Sequence, residues 1–184
     1  MQNQTIKTLL NNFKIISLAN NLPGPVAVSR LQSLGAAVVK IEPPAGDPLS
    51  RYSPAWYRQL TQGQQVVRLD LKTGTGRQKL DERLKDSDLL ITSMRLTALE
   101  RLKLNRSEVS KNFSHLLQIA IVGYASDSEK LPGHDLTYQA ALRLLSPPQM
   151  PKTLLTDLAA AERIVSAALE LILARKKELS TNYA

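Results

Sequence analysis

The chain has 184 residues, 43% of them apolar, which is enough for one core of ordinary domain size, and no shift in composition marks a second. It contains no cysteine, so disulfides, thiolate metal sites and a cysteine nucleophile are excluded and any nucleophile is oxygen or nitrogen. A net charge of +8 favours an anionic partner, but the 4% aromatic content, the scattered basic residues and the lack of a nucleic-acid-binding motif argue against DNA or RNA, leaving a phosphorylated cofactor or an acidic protein.

Residues 1–12 are polar and mixed, without the basic head and apolar middle of a signal peptide, and the expected location is the cytoplasm. Residues 13–18 read as the first strand. A helix then opens at Pro25, carries Val26, Val28, Leu31 and Leu34, and ends at Gly35. Residues 37–42 read as the second strand, and 43–53, with Pro43, Pro44, Gly46 and Pro48, as a loop. A third strand is expected over 66–71. Gly74-Thr75-Gly76 is too short for a nucleotide fingerprint; Thr75 is expected to cap a helix carrying Leu80 and Leu84. The fourth strand follows at 89–92, short helical pieces at 98–102 and 107–111, and the fifth strand at 116–122.

A loop then leads into a helix through Tyr138 and Leu142. The last helix is long, with Leu154, Leu158, Ala161, Val165, Ala168 and Ile172 on one stripe and Arg175, Lys176 and Lys177 matching its C-terminal dipole. Asp157, Glu162, Arg163 and Glu170 interrupt it too often for a membrane span. Strands buried on both faces and alternating with helices predict an α/β fold: one domain over residues 1–184, three layers, a mainly parallel five-stranded sheet flanked by helices.

Two side chains stand out chemically. His134, in Pro132-Gly133-His134-Asp135, falls where a helix opens, and the positive end of a helix dipole favours a neutral imidazole able to accept a proton. From the residues alone, a histidine that caps the helix or bonds Asp135 is the simpler reading. Asp157 falls in the first turn of the last helix, where an acid is stabilising without any catalytic role. A carboxylate and an imidazole at two helix starts could also flank one carbon and exchange its proton from opposite faces. His115 reads as structural, and no Walker loop, metal-ligand cluster or Gly-x-Ser-x-Gly elbow occurs.

Several segments together resemble the class III CoA-transferase family, which includes formyl-CoA transferase, carnitine CoA-transferase and alpha-methylacyl-CoA racemase. They are Leu22-Pro23-Gly24-Pro25, the run Leu34-Gly35-Ala36-Ala37-Val38-Val39-Lys40-Ile41-Glu42-Pro43-Pro44 with Gly46-Asp47-Pro48, Leu69-Asp70-Leu71-Lys72, Arg95 with Leu99-Glu100-Arg101-Leu102, and Gly123-Tyr124. The most specific is Gly133-His134-Asp135-Leu136-Thr137-Tyr138-Gln139-Ala140, similar to the segment that supplies the catalytic histidine in the racemase branch.

The resemblance implies the N-terminal part of the family's Rossmann-like large domain, a racemase or transferase acting on an acyl-CoA thioester, and no metal. It implies His134 and Asp157 as the catalytic pair, with Lys40, Arg51, Arg95, Asp135 and Tyr138 as contacts for coenzyme A. The chain departs from the family pattern at Gln64 and Gln65, where basic residues are usual, at Ala159-Ala160-Ala161-Glu162 and Ala125-Ser126-Asp127-Ser128-Glu129, where glycines are usual, and in length. Family members are longer and return to the first domain after a second one, so a homodimer or a complementary chain is expected as partner. The alternative is a non-catalytic member that binds CoA or a protein.

Overall fold

Alternate residues of the first strand face opposite ways: Ile15 enters one core, whereas Ile16 and Leu18 enter another on the far side of the sheet. A strand buried on both faces needs helices on both, and that requirement sets the architecture. In the computed structural model, which describes residues 8–124 and 131–177, the strands β1 (Lys14–Leu18), β2 (Ala37–Glu42), β3 (Gln65–Arg68), β4 (Leu89–Thr92) and β5 (Leu117–Ala120) form one parallel sheet in the order β3-β2-β1-β4-β5. Register is set by pairs such as Ile15 with Val38, Ile15 with Leu89, and Leu89 with Leu117.

One face is covered by α1 (Pro23–Ser33) and by the last helix, α8 (Leu155–Lys176), which pack on each other through Ala27, Leu31, Ala161 and Ala168. The other face carries α4 (Gly74–Lys85), α5 (Leu96–Arg101) and α6 (Arg106–Asn112), which contribute Leu80, Leu84, Leu99 and Val109. A third cluster of Leu22, Leu49 and Leu60 seats α2 (Leu49–Tyr52) and α3 (Pro54–Thr61) beside the first turn of α8, where Leu158 meets it. The short α7 (Asp135–Ala141) completes the order. No helix among the described residues is long and apolar enough to cross a membrane.

The three-layer parallel fold matches the expectation, with differences at the edges. The stretch expected as a loop over 43–53 contains α2, and α3 is an element that no sequence signal had suggested. Helix α4 is capped by Thr73 rather than Thr75: the Thr73 hydroxyl accepts from the Gly76 N–H at 3.0 Å, so the helix begins two residues earlier. Strand β3 stops at Arg68 although Leu69 still donates to Glu42, because the chain then turns through Asp70 and Thr73.

The C-terminal edge of the sheet is locked from within. Lys40, 1% exposed, donates to Asp47 at 2.7 Å and to the Ala19 carbonyl at 2.8 Å, with Glu42 at 3.9 Å. Asp47 also accepts the Asn21 and Leu49 N–H groups, and Tyr57 donates to Glu42 at 2.8 Å. Burial, reinforced by the Glu42 carboxylate, pushes the Tyr57 hydroxyl up to about 12. This network ties the end of β1 to the end of β2, the following loop and α3.

Candidate active site

His134 is the N-cap residue of α7, with extended backbone angles of φ −138° and ψ 167°. The hydroxyl of Thr137 accepts from the His134 N–H at 2.7 Å and donates to the His134 carbonyl at 2.6 Å, so a threonine one turn into the helix fixes the histidine's backbone. The side chain itself is exposed. The His134 side chain and the Thr137 hydroxyl together form a capping box at the start of α7.

The next residue, Asp135, points the other way and is buried. Its Oδ1 accepts the Thr156 N–H at 2.8 Å, the Asp157 N–H at 3.1 Å and the Thr156 hydroxyl at 2.6 Å, while Gln139 donates to its Oδ2. These are the first N–H groups of α8, whose own N-cap residue, Leu154, supplies no side-chain cap. Burial alone would raise the Asp135 carboxyl, but the bonds from Thr156, Asp157 and Gln139 outweigh it and hold the group below its ordinary value.

Asp157, in the first turn of α8, is partly buried. Burial and then the charge of Asp135 raise its carboxyl above the ordinary value, and His134 acts in the opposite direction. Tyr138 closes the site. Its ring lies against the backbone of Gly123 and Gly133, where any Cβ would overlap it, and meets the Tyr124 ring edge-on with centroids 5.2 Å apart. Burial, then the influence of Tyr124 and Asp157, raises the Tyr138 hydroxyl, so it stays protonated at neutral pH.

The sequence candidates therefore divide. His134, Asp157, Asp135 and Tyr138 gather between α7 and the start of α8. Lys40 lies in the buried network below and has no free face for a phosphate, because its three neighbours are internal. Arg51 and Arg95 are exposed on α2 and at the start of α5.

A groove of 1610 Å³ opens at the C-terminal ends of β1, β2 and β4, on the α4 side of the sheet. Lys72, Arg77, Arg101 and Lys103 are among its lining, and neither Arg51 nor Arg95 is. Asn20 lines it too, at the end of β1 beside its neighbour β4, where the strand order reverses, and two buried atoms there, Asn20 Oδ1 and Thr92 Oγ1, have no hydrogen-bond partner. His134 and Asp157 do not line this groove. Lys72 and Arg101 were legible as parts of the family-like segments, but only the turn after β3 and the packing of α5 bring them to one opening.

The departures have local explanations. Gln64 donates to the Gln32 side chain and to the Leu60 carbonyl, clasping the end of α3 to α1. Ala161 is fully buried against α1, and Glu162 is exposed and pairs with Arg30 at 3.0 Å. Residues 125–129 lie outside the described residues.

Compared with known proteins, the chain matches the profile of CoA-transferase family III over residues 10–179. It is 33% identical over 150 residues to a cinnamoyl-CoA:phenyllactate CoA-transferase of Clostridium sporogenes, covering 74% of this chain and 36% of that protein. To the alpha-methylacyl-CoA racemase of Homo sapiens it is 29% identical over 159 residues, covering 82% of this chain and 40% of the racemase. The crystal structure of a CAIB/BAIF family protein from Brucella suis shares the fold with a TM-score of 0.86 at 22% identity, over 97% of this chain and 52% of that one. The chain thus spans less than half the length of these two curated relatives and about half of that solved chain. With the family match extending over nearly all of its length, this chain belongs to CoA-transferase family III.

Proposed function

We propose that this chain binds an acyl-CoA thioester and exchanges the proton on the carbon next to the thioester carbonyl, with His134 and Asp157 as the acid–base pair. The observation that carries the reading is the pairing of an exposed imidazole with a partly buried carboxyl of raised proton affinity, each at a helix start and joined through Asp135.

In this reading one member of the pair removes the α-proton, and the electrons of the broken C–H bond pass into the thioester carbonyl as an enolate. The other member returns a proton to the opposite face and the carbonyl re-forms. No atom is gained or lost overall. The enolate oxygen needs a donor, and Tyr138, protonated and beside Asp157, is the hydroxyl available. The nucleotide of CoA takes the groove, where Lys72, Arg77, Arg101 and Lys103 meet its phosphates. Asn20 Oδ1, on a residue of the groove lining, is an acceptor without a donor, and an amide N–H of the pantetheine arm is such a donor.

A transferase reading is favoured by the name of the Clostridium sporogenes relative. Here the Asp157 carboxylate attacks the thioester carbonyl, the C–S bond breaks, CoA leaves as a thiolate, and an acyl-aspartyl anhydride remains for the acceptor acid. Incubation of the chain with 2-methylacyl-CoA in heavy water, followed by NMR, separates the two. Deuterium at the α-carbon, abolished by His134→Ala, supports proton transfer. CoA binding without exchange over several acyl chains overturns it; an acyl adduct on Asp157 in the same samples then identifies the transferase, and its absence a binding module.

A further inference from the structure

We infer that Asp135 is the positioning residue of this site: its carboxylate sets where Asp157 stands relative to His134. Asp135 follows His134 directly, so the two backbones move as one. Its Oδ1 takes the N–H groups of Thr156 and Asp157 together with the Thr156 hydroxyl, which places the start of α8 at a fixed point from α7. Gln139 grips Oδ2 and also donates to the Thr153 carbonyl at 3.3 Å, so both carboxylate oxygens are held and the side chain has no freedom to swing.

A serine or aspartate at position 154 would satisfy the same N–H groups from within α8, as most helices arrange it. This chain has Leu154 there and brings the cap from another helix instead. A local cap stabilises one helix; a cap from α7 stabilises it and also fixes its distance from His134. With its acceptors engaged internally and 4% exposure, the Asp135 carboxylate serves the geometry of the pair and not a ligand contact.

The consequence for rate rests on the proton-transfer reading, whereas the geometric part does not. Four proteins test both: wild type, Asp135→Asn, Asp135→Ala, and Asp135→Ala combined with Leu154→Ser. Asparagine keeps an acceptor for Thr156 and Asp157, and Gln139 can turn its amide to match. Exchange turnover is expected to fall about 100-fold in the alanine variant, the scale of a misplacement near 1 Å, with KM unchanged and with most of the rate kept by asparagine. Adding Leu154→Ser restores the lost thermal stability without the rate. Recovery of rate together with stability, or equal rates for alanine and asparagine, overturns the inference.

If wild type shows no exchange, the proton-transfer reading fails first and amide hydrogen exchange decides the rest. Protection of the Thr156 and Asp157 N–H groups is then expected to be lost in Asp135→Ala, kept in Asp135→Asn, and unchanged at Ile164 in both. Retained protection in the alanine variant overturns the inference whatever the activity.

Discussion

Lys40 and Asp47 form a buried ion pair of 2.7 Å between the end of β2 and the loop that follows it. Each is at most 1% exposed as a residue, and the surrounding acceptors and donors are all internal. Isolated, either charge would be costly at that depth; together, with Glu42 and Tyr57, they hold α3 and the loop against the sheet edge.

Lys40→Met keeps the bulk of the side chain and removes its charge, leaving the buried Asp47 carboxylate without its ion-pair partner. Urea unfolding is expected to show a loss of about 3–5 kcal/mol, the usual scale for breaking a buried pair from one side. A loss no larger than that of an exposed pair would show that water reaches the site. The exposed Arg163–Glu170 pair is the internal comparison, since Arg163→Ala should cost about 0–1 kcal/mol.

Asp157 makes stability depend on pH in a definite sense. Burial, then Asp135, raise its carboxyl, so the folded protein holds this proton more tightly than the unfolded chain does. Ionising Asp157 therefore lowers stability: the cost is absent below the ordinary carboxylate value, grows as pH rises through it, and is complete above the raised folded value. Asp157→Asn should gain on wild type over that window and then hold a constant lead. Urea midpoints of both proteins measured from acid to neutral pH check this, and a lead that shrinks with rising pH contradicts it.

The groove lysines and the arginines named from sequence make competing forecasts. Lys72→Ala and Lys103→Ala are each expected to weaken CoA binding about tenfold, the scale of one charge-assisted hydrogen bond, with the loss shrinking at high salt. Arg51→Ala and Arg95→Ala, outside the groove lining, are expected to leave it unchanged. Calorimetric titration of all four with CoA at two salt concentrations reads the answer.

The contact between α1 and α8 leaves no room at Ala161 or Ala168, both fully buried. Ala168→Leu should cost about 1–3 kcal/mol through overpacking, measured by thermal or urea unfolding. The exposed Ala159 takes the same change at little cost, being a helical position facing solvent.

Much of this was legible along the chain because the signals are local. Short apolar runs marked the strands, because a parallel sheet covered by helices buries both faces of each strand, and the stripe from Leu154 to Ile172 marked α8, because a helix imposes its period on its own segment. Helix α3 escaped because Pro54–Thr61 is short and gives the core only Leu60 as a fully buried residue. The candidate pair was visible as two residue types at two helix starts, and family resemblance raised both above their ordinary capping roles.

Sequence by itself thus determined the α/β class, the order of the strands along the chain and the identity of His134 and Asp157 as candidates. Tertiary structure decided what surrounds them: that Asp135 caps a helix 20 positions further along, that Lys40 is sealed in an ion network, and that Lys72, Arg77, Arg101 and Lys103 share one groove. The physical reason is that charge and hydrogen-bond partners are chosen by distance in space. A lysine on a strand and a lysine in a turn are the same letter until folding places one among internal carboxylates and the other at an open edge.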